Sequence, residues 1–223
     1  GGDVNEYTLS TNFDVSTASF VDSFSVSAQE SNLLSLAFST DGTKMYIVGN
    51  SADTVFEYTL STGFDVSTAS YTQGFSVATQ DDNPRGLAFN TDGTKMFVAG
   101  YTGQDINEYT LATGFNVSTA SFVDSFSVSA QDTSPAGVAF NAEGTKMFVV
   151  GQTEDEVNEY ALTTGFDVST ASFVSVFSIS AQDTVPFDIA FNADGTKMFV
   201  VGSTGDAVYQ YSTGVGSVTT VLA

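Results

Sequence analysis

The sequence predicts an all-β protein made of one strand unit repeated along the chain. Two observations carry this. Tyr7, Tyr58, Tyr109, Tyr160 and Tyr211 each sit in a [VI]-x-[EQ]-Y context at a constant step of 51 residues. The phrase DGTKM or EGTKM begins at Asp41, Asp92, Glu143 and Asp194 with the same step of 51. A period of that length without an insertion marks a repeat architecture, in which each copy is one supersecondary unit buried against its neighbours. No stretch carries sustained helical periodicity.

The copy from Pro84 to Gln131 shows the unit. Gly86–Asn90 (GLAFN) reads as a short apolar strand and Thr91–Thr94 as a turn, because Gly93 accepts the positive φ that a tight hairpin demands. Lys95–Ala99 (KMFVA) is the returning strand, and Gly100–Asp105 is a polar loop. Ile106–Leu111 (INEYTL) alternates as a half-buried strand should. Ala112–Ala120 is a longer connection, and Ser121–Val128 is a fourth strand with Phe122, Phe126 and Val128 expected on one face. Four antiparallel strands per repeat, arranged about an axis, describe the blade of a β-propeller.

The pattern P-x-G-[LV]-A-F-[NS]-x-[DE]-G-T-K-[ML]-[FY]-V reads PRGLAFNTDGTKMFV at Pro84–Val98 and PAGVAFNAEGTKMFV at Pro135–Val149. It resembles the repeats of YVTN/NHL-type β-propellers, over almost the whole chain. The resemblance implies a propeller fold, whose members serve as enzymes, binding platforms and surface proteins alike. Lactonase-like members rely on His or on metal ligands at particular blades, and this chain has no His.

With strands lettered A to D outward from the axis, A–B hairpins fall at Leu34–Val48, Gly86–Ala99, Gly137–Val150 and Asp188–Val201. C strands begin near Val4, Val55, Ile106, Val157 and Val208. D strands fall near Phe20–Val26, Tyr71–Val77, Phe122–Val128 and Phe173–Ile179, with Ser217–Leu222 as a degenerate fifth. The expectation is one domain over 1–223 with four blades, in steps near 34–84, 85–135, 136–186 and 187–211. The N-terminal strands 3–27 complete the last blade by docking on Asp188–Val201, and the tail 212–223 is peripheral or used in assembly. Val4, Tyr7, Phe20, Phe24 and Val26 form the pattern of a pair built to be covered. Ala207–Tyr211 competes with Asp3–Tyr7 for one place, so a displaced tail and docking on another copy both remain open.

Composition narrows function. Five basic against 26 acidic residues give a formal charge of −21, which repels phosphate backbones and anionic lipid. Nucleic acid and direct membrane insertion are therefore not expected, and no apolar run approaches the ~18 residues that span a bilayer. The chain has no Cys and no His, which removes thiol chemistry, the commonest general base and the commonest transition-metal ligand. It opens on Gly-Gly-Asp, as a mature product, an internal fragment or a trimmed chain would.

Comparison among copies singles out two loop classes that vary: Glu30–Ser35, Asp81–Gly86, Asp132–Gly137 and Asp183–Asp188 between D and A, and Asn50–Thr54, Tyr101–Asp105, Gln152–Glu156 and Ser203–Ala207 between B and C. Both emerge on one face of a propeller, so ligand contacts are expected there. The candidate binding residues are Asp81, Asp82, Arg85, Tyr101, Asp105, Asp155, Phe187 and Asp188. Asp41, Asp92, Glu143 and Asp194 read as turn residues rather than calcium ligands, since no D-x-D-x-D-G loop accompanies them. Glu6, Glu57, Glu108 and Glu159 read as a solvated or Ser/Thr-paired outer face, and Lys44, Lys95, Lys146 and Lys197 as exposed charges paired with nearby acids. Asn116-Val117-Ser118 matches a glycosylation sequon by chance, since the sister copies carry Asp there. No cofactor is expected, although Ca2+ remains compatible with the acidity.

Three functions follow. The first is a non-catalytic, extracellular or virion-surface scaffold for binding or adhesion, with a glycan or cell-surface ligand at the variable face. The second is a self-associating subunit of a fibre, filament or surface layer, assembled by strand exchange at the chain ends. The third is a metal-dependent propeller hydrolase or lactonase. Without His or Cys, and with repeated rather than singular polar groups, the chain is expected not to be an enzyme.

Overall fold

The computed structural model describes residues 2–214 and 217–221. The chain opens with β1 (Asp3–Leu9) and β2 (Ala18–Ser25). The first blade is β3 (Leu33–Phe38), β4 (Lys44–Gly49), β5 (Thr54–Leu60) and β6 (Ala69–Ser76). The second is β7 (Pro84–Phe89), β8 (Lys95–Gly100), β9 (Asp105–Leu111) and β10 (Ala120–Ser127). The third is β11 (Pro135–Phe140), β12 (Lys146–Gly151), β13 (Glu156–Leu162) and β14 (Ala171–Ser178). The fourth is β15 (Pro186–Phe191), β16 (Lys197–Gly202), β17 (Ala207–Gly214) and β18 (Ser217–Val221). Each blade is one antiparallel sheet in chain order, and β1–β2 is a two-stranded sheet of its own. The architecture is the expected four-bladed propeller. Among the described residues no helix is long and apolar enough to cross a membrane.

Local chemistry makes each blade alike. In the A–B turn Asp41 Oδ1 accepts from Thr43 N at 3.0 Å and Thr43 Oγ1 at 2.8 Å, which holds its pKa down to about 2. The following Gly42 has φ 70°, a left-handed value that only glycine adopts without strain. Asp92 and Asp194 are held by the same bonds. In the C–D connection Asn116 Oδ1 accepts from Ser118 N at 3.2 Å and starts a 3-10 turn at Val117–Thr119. Asp14, Asp65 and Asp167 do the same in their copies, so Asn116 fills a capping position. One expectation fails locally. A bulge between Phe122 and Asp124 switches side-chain faces along β10, so Phe122 is exposed while Val128 is buried.

The core lies between blades. Tyr46, Val48 and Val55 of the first blade pack against Leu87, Met96 and Val98 of the second in one cluster. A polar clasp ties the same pair. Lys44 Nζ donates to Glu57 Oε1 at 2.9 Å and to Phe115 O, in the next blade, at 2.6 Å. Glu57 Oε2 accepts from Val117 N at 3.1 Å. Lys95 and Glu108 repeat this against Phe166 O and Val168 N. The glutamates at 57 and 108 are therefore buried between blades, not on a solvated outer face, and their lysines are partly buried with them.

The N-terminal pair joins the last blade through the same clasp. Lys197 Nζ donates to Phe13 O at 2.6 Å, Val15 N donates to Gln210 Oε1 at 3.2 Å, and the Phe13 and Phe199 rings lie 6.3 Å apart. On its other side Val4 and Val26 pack on Met45, Ile47 and Tyr58 of the first blade, and Val66 N donates to Glu6 Oε2 at 3.0 Å. The docking is face to face, so the foreseen competition does not arise: β17 holds the C position of the last sheet and β18 the D position. Val4 and Val26 are covered as expected, whereas Tyr7 and Phe20 are exposed.

Candidate functional site

The innermost strands β3, β7, β11 and β15 surround the axis. Toward the A–B turns they line an open pocket of about 400 Å³, with Phe38, Phe89, Phe140 and Phe191 among its walls. Toward the D–A and B–C loops the four blades differ, and there the polar groups gather.

Position 35 of the first copy recurs as Gly86, Gly137 and Asp188. Ser35 Oγ donates to Asp188 Oδ2 at 2.6 Å, bridging first and fourth blades, and Leu87 N of the second donates to Ser35 Oγ at 3.2 Å. Asp188 Oδ1 accepts from Ile189 N at 2.9 Å. The small neighbours make room: a Cβ on Gly137 would fall 2.7 Å from Asp188 Cα. Asp188 is densely enclosed by protein atoms yet keeps partial contact with solvent at the mouth. Desolvation pushes its pKa up to about 7, against the opposing bonds from Ser35 and Ile189.

The remaining blades are linked through Arg85. Its guanidinium lies 3.9 Å above the Tyr101 ring, and Nη1 donates to Gln152 Oε1 at 2.8 Å and Ser134 Oγ at 3.2 Å in the third blade. Gln152 Nε2 donates to Pro186 O at 2.9 Å, two residues before Asp188. The polar bonds thus run through all four blades around the mouth. Burial lowers the pKa of Arg85, opposed by Tyr101, Asp81 and Asp132.

Of the expected residues, Arg85, Tyr101 and Asp188 belong to this circuit, and Phe187 adjoins it half-buried. Asp81 is buried and engaged: its carboxylate accepts from Asn83 N at 2.7 Å and Gly103 N at 2.6 Å, stapling the D–A loop to the B–C loop. Asp82 accepts from Thr102 Oγ1 at 2.6 Å, and Asp105 from Asn107 Nδ2 at 2.8 Å, each within its own blade. Asp155 holds a φ of 55° in the B–C turn. Desolvation raises the pKa of Asp105, and that of Asp155 together with Asp132, Asp183 and Glu154. Ser35, Ser134 and Gln152 were not singled out by sequence reasoning. Their signal is the column of unlike residues each occupies, such as Asn50, Tyr101, Gln152 and Ser203. Among the described residues no group of three or more acidic side chains converges as a metal site.

No family model matches the chain. No curated protein matches it by sequence. Solved structures do. A functionally unknown protein from Desulfotomaculum acetoxidans superposes with a TM-score of 0.57 at 19% identity, over 96% of this chain and 63% of its own. A candidate 6-phosphogluconolactonase from Bacteroides uniformis gives 0.59 at 12% identity, over 99% and 64%. The periplasmic gluconolactonase of Pseudomonas aeruginosa gives 0.54 at 16%, over 99% and 62%. The chain spans less than two thirds of the length of each. These neighbours overturn the expectation that the chain is not an enzyme, because propellers that superpose on nearly all of it include named lactonases. At such identities the likeness establishes the β-propeller fold.

Proposed function

We propose that the loop-side mouth binds a small polyhydroxylated molecule and that Asp188 performs acid–base chemistry on it, with a sugar lactone as the substrate class. The observation that carries the reading is Asp188 itself: one singular carboxyl on a repeat scaffold, enclosed, with a pKa near 7. As the carboxylate it takes a proton from a water whose oxygen attacks the lactone carbonyl. As the acid it returns that proton to the ring oxygen as the C–O bond breaks, leaving a hydroxy acid. Arg85 is the single basic residue on the variable loops and supports recognition of the oxygen-rich ligand. The repeat pattern supports a YVTN/NHL-type ancestry, and the acidity supports a secreted or surface-exposed setting.

The test is acid release from an unphosphorylated aldonolactone, followed by titration at constant pH for the wild-type chain and Asp188→Asn. Turnover should fall by roughly 10²-fold or more in the variant. Equal rates in the two proteins would remove Asp188 from the chemistry and the reading with it.

A further inference from the structure

One column of the inner strands carries the asymmetry of the mouth. The third residue of β3, β7, β11 and β15 is Ser35, Gly86, Gly137 and Asp188. Two blades thus bring a polar side chain to this level and two bring bare backbone. Ser35 is only 3% exposed, so its hydroxyl must be satisfied by protein groups rather than by bulk water.

That hydroxyl has one proton to give, and its direction is fixed. Leu87 N donates to Ser35 Oγ at 3.2 Å, and Oγ lies 2.6 Å from Asp188 Oδ2. An amide N–H cannot accept, so the hydroxyl proton turns away from Leu87 and toward the carboxyl. While Asp188 is ionised, this is a charge-assisted bond that favours the anion. When Asp188 takes up a proton, its two oxygens are not equivalent. A proton on Oδ2 would point at Oγ, and the serine proton would then need another acceptor. Among the described residues Ser35 Oγ has no hydrogen-bond partner besides Leu87 N and Asp188 Oδ2. A proton on Oδ1 leaves the serine bond intact. Oδ1 accepts from Ile189 N at 2.9 Å and keeps a second lone pair for the proton.

Charged neighbours are engaged elsewhere. β3 and β11 carry no ionisable residue, and Arg85 of β7 bonds Ser134 and Gln152 over the Tyr101 ring. Lys146 of β12 and Lys197 of β16, strands packed on β15, bond Glu159 and Phe13 O.

We infer that Ser35 is a positioning residue, which through its bond to Oδ2 confines the mobile proton of Asp188 to Oδ1, the oxygen that exchanges it with substrate. The place of the proton follows from the hydrogen bonds alone; its catalytic consequence rests on the acid–base role proposed for Asp188. In lactone hydrolysis Oδ1 takes the proton of the attacking water and returns it to the ring oxygen, while Ser35 keeps its own proton throughout.

Infrared spectroscopy tests the proton's place without substrate. At about pH 5, below the folded-state titration of Asp188, the difference between wild type and Asp188→Asn isolates the C=O band of the protonated carboxyl. With the proton on Oδ1 the carbonyl oxygen is Oδ2, which carries the serine bond, so Ser35→Ala should move the band to higher frequency. NMR of the carboxyl carbons should show the Asp188 titration rising by roughly one pH unit, because the anion loses a donor. Ser35→Gly, which copies the glycine of the second and third blades, is the second variant and should behave alike. The pH dependence of kcat on an aldonolactone should move upward by the same interval. An unmoved band and an unmoved titration in these variants overturn the inference, whether or not lactone is turned over. If the wild type turns over no lactone while band and titration move as stated, the positioning by Ser35 stands and the proposed hydrolysis falls.

Discussion

Asp188→Asn isolates the energetic cost of holding one carboxyl in the mouth. In the unfolded chain Asp188 ionises near the ordinary aspartate value of 3.8, and in the folded chain only near 7. Between these values the native state binds more protons than the unfolded state, so stability falls as pH rises. The contribution is fully present below 3.8 and is lost as pH passes 7. At about 1.4 kcal/mol per pH unit across that window, the loss reaches at most ~4 kcal/mol, and solvent reaching the carboxyl at the mouth reduces it. Asparagine keeps an acceptor for Ile189 N and a polar contact for Ser35 but cannot ionise. Urea unfolding of both proteins from pH 4 to 8.5 is the assay, since every other group titrates alike in the two. The stability of the wild type relative to the variant should decline by a few kcal/mol between pH 4 and 8 and then level off. Parallel pH profiles would show that Asp188 titrates as an ordinary carboxylate and refute the reasoning.

Other perturbations read other contacts. Gly137→Ala places a methyl group 2.7 Å from Asp188 Cα and should cost about 1–3 kcal/mol by urea unfolding, since backbone cannot yield as a side-chain end can. Glu57→Ala leaves Val117 N and Lys44 without their carboxylate in a buried clasp and should cost about 3 kcal/mol. Glu159→Ala, whose side chain is 23% exposed beside a 52% exposed Lys146, should cost under ~1 kcal/mol in the same assay. Deleting residues 1–27 uncovers Met45, Ile47 and Tyr58, each worth about 1.5–3 kcal/mol, and should lower the melting temperature by many degrees. An unchanged melting temperature would count against the packing described for β1 and β2.

What could be read in advance was what is local. The Asp-Gly-Thr turn is legible because its geometry follows from one carboxylate, one hydroxyl and one glycine within three residues. The strands are legible because alternation is a property of neighbours. The burial of Glu57 was not, because its partner Val117 lies 60 residues away on the next blade. Nor was the exposure of Phe122, since alternation carries no sign of the bulge that breaks it. The site was half legible. Arg85, Tyr101 and Asp188 stand out as unlike residues in repeated columns, but only ring closure brings positions 35 and 188 within a hydrogen bond.

The clasps between blades also set an order of assembly. Lys44 reaches Phe115 across 71 residues and Glu57 reaches Val117 across 60, so each can form once the following blade has been made. The contacts that seal the ring span 184 residues for Lys197 to Phe13 and 195 for Gln210 to Val15. A threefold longer loop adds only about 1 kcal/mol of closure entropy, so sealing is thermodynamically modest. In time it is last. The N-terminal pair can dock on the first blade early, but its Phe13 turn has no seat until Lys197 and Gln210 exist. Until Lys197 and Gln210 have been made the seam on the N-terminal pair stays open, and β16 and β17 convert a row of stacked sheets into a ring.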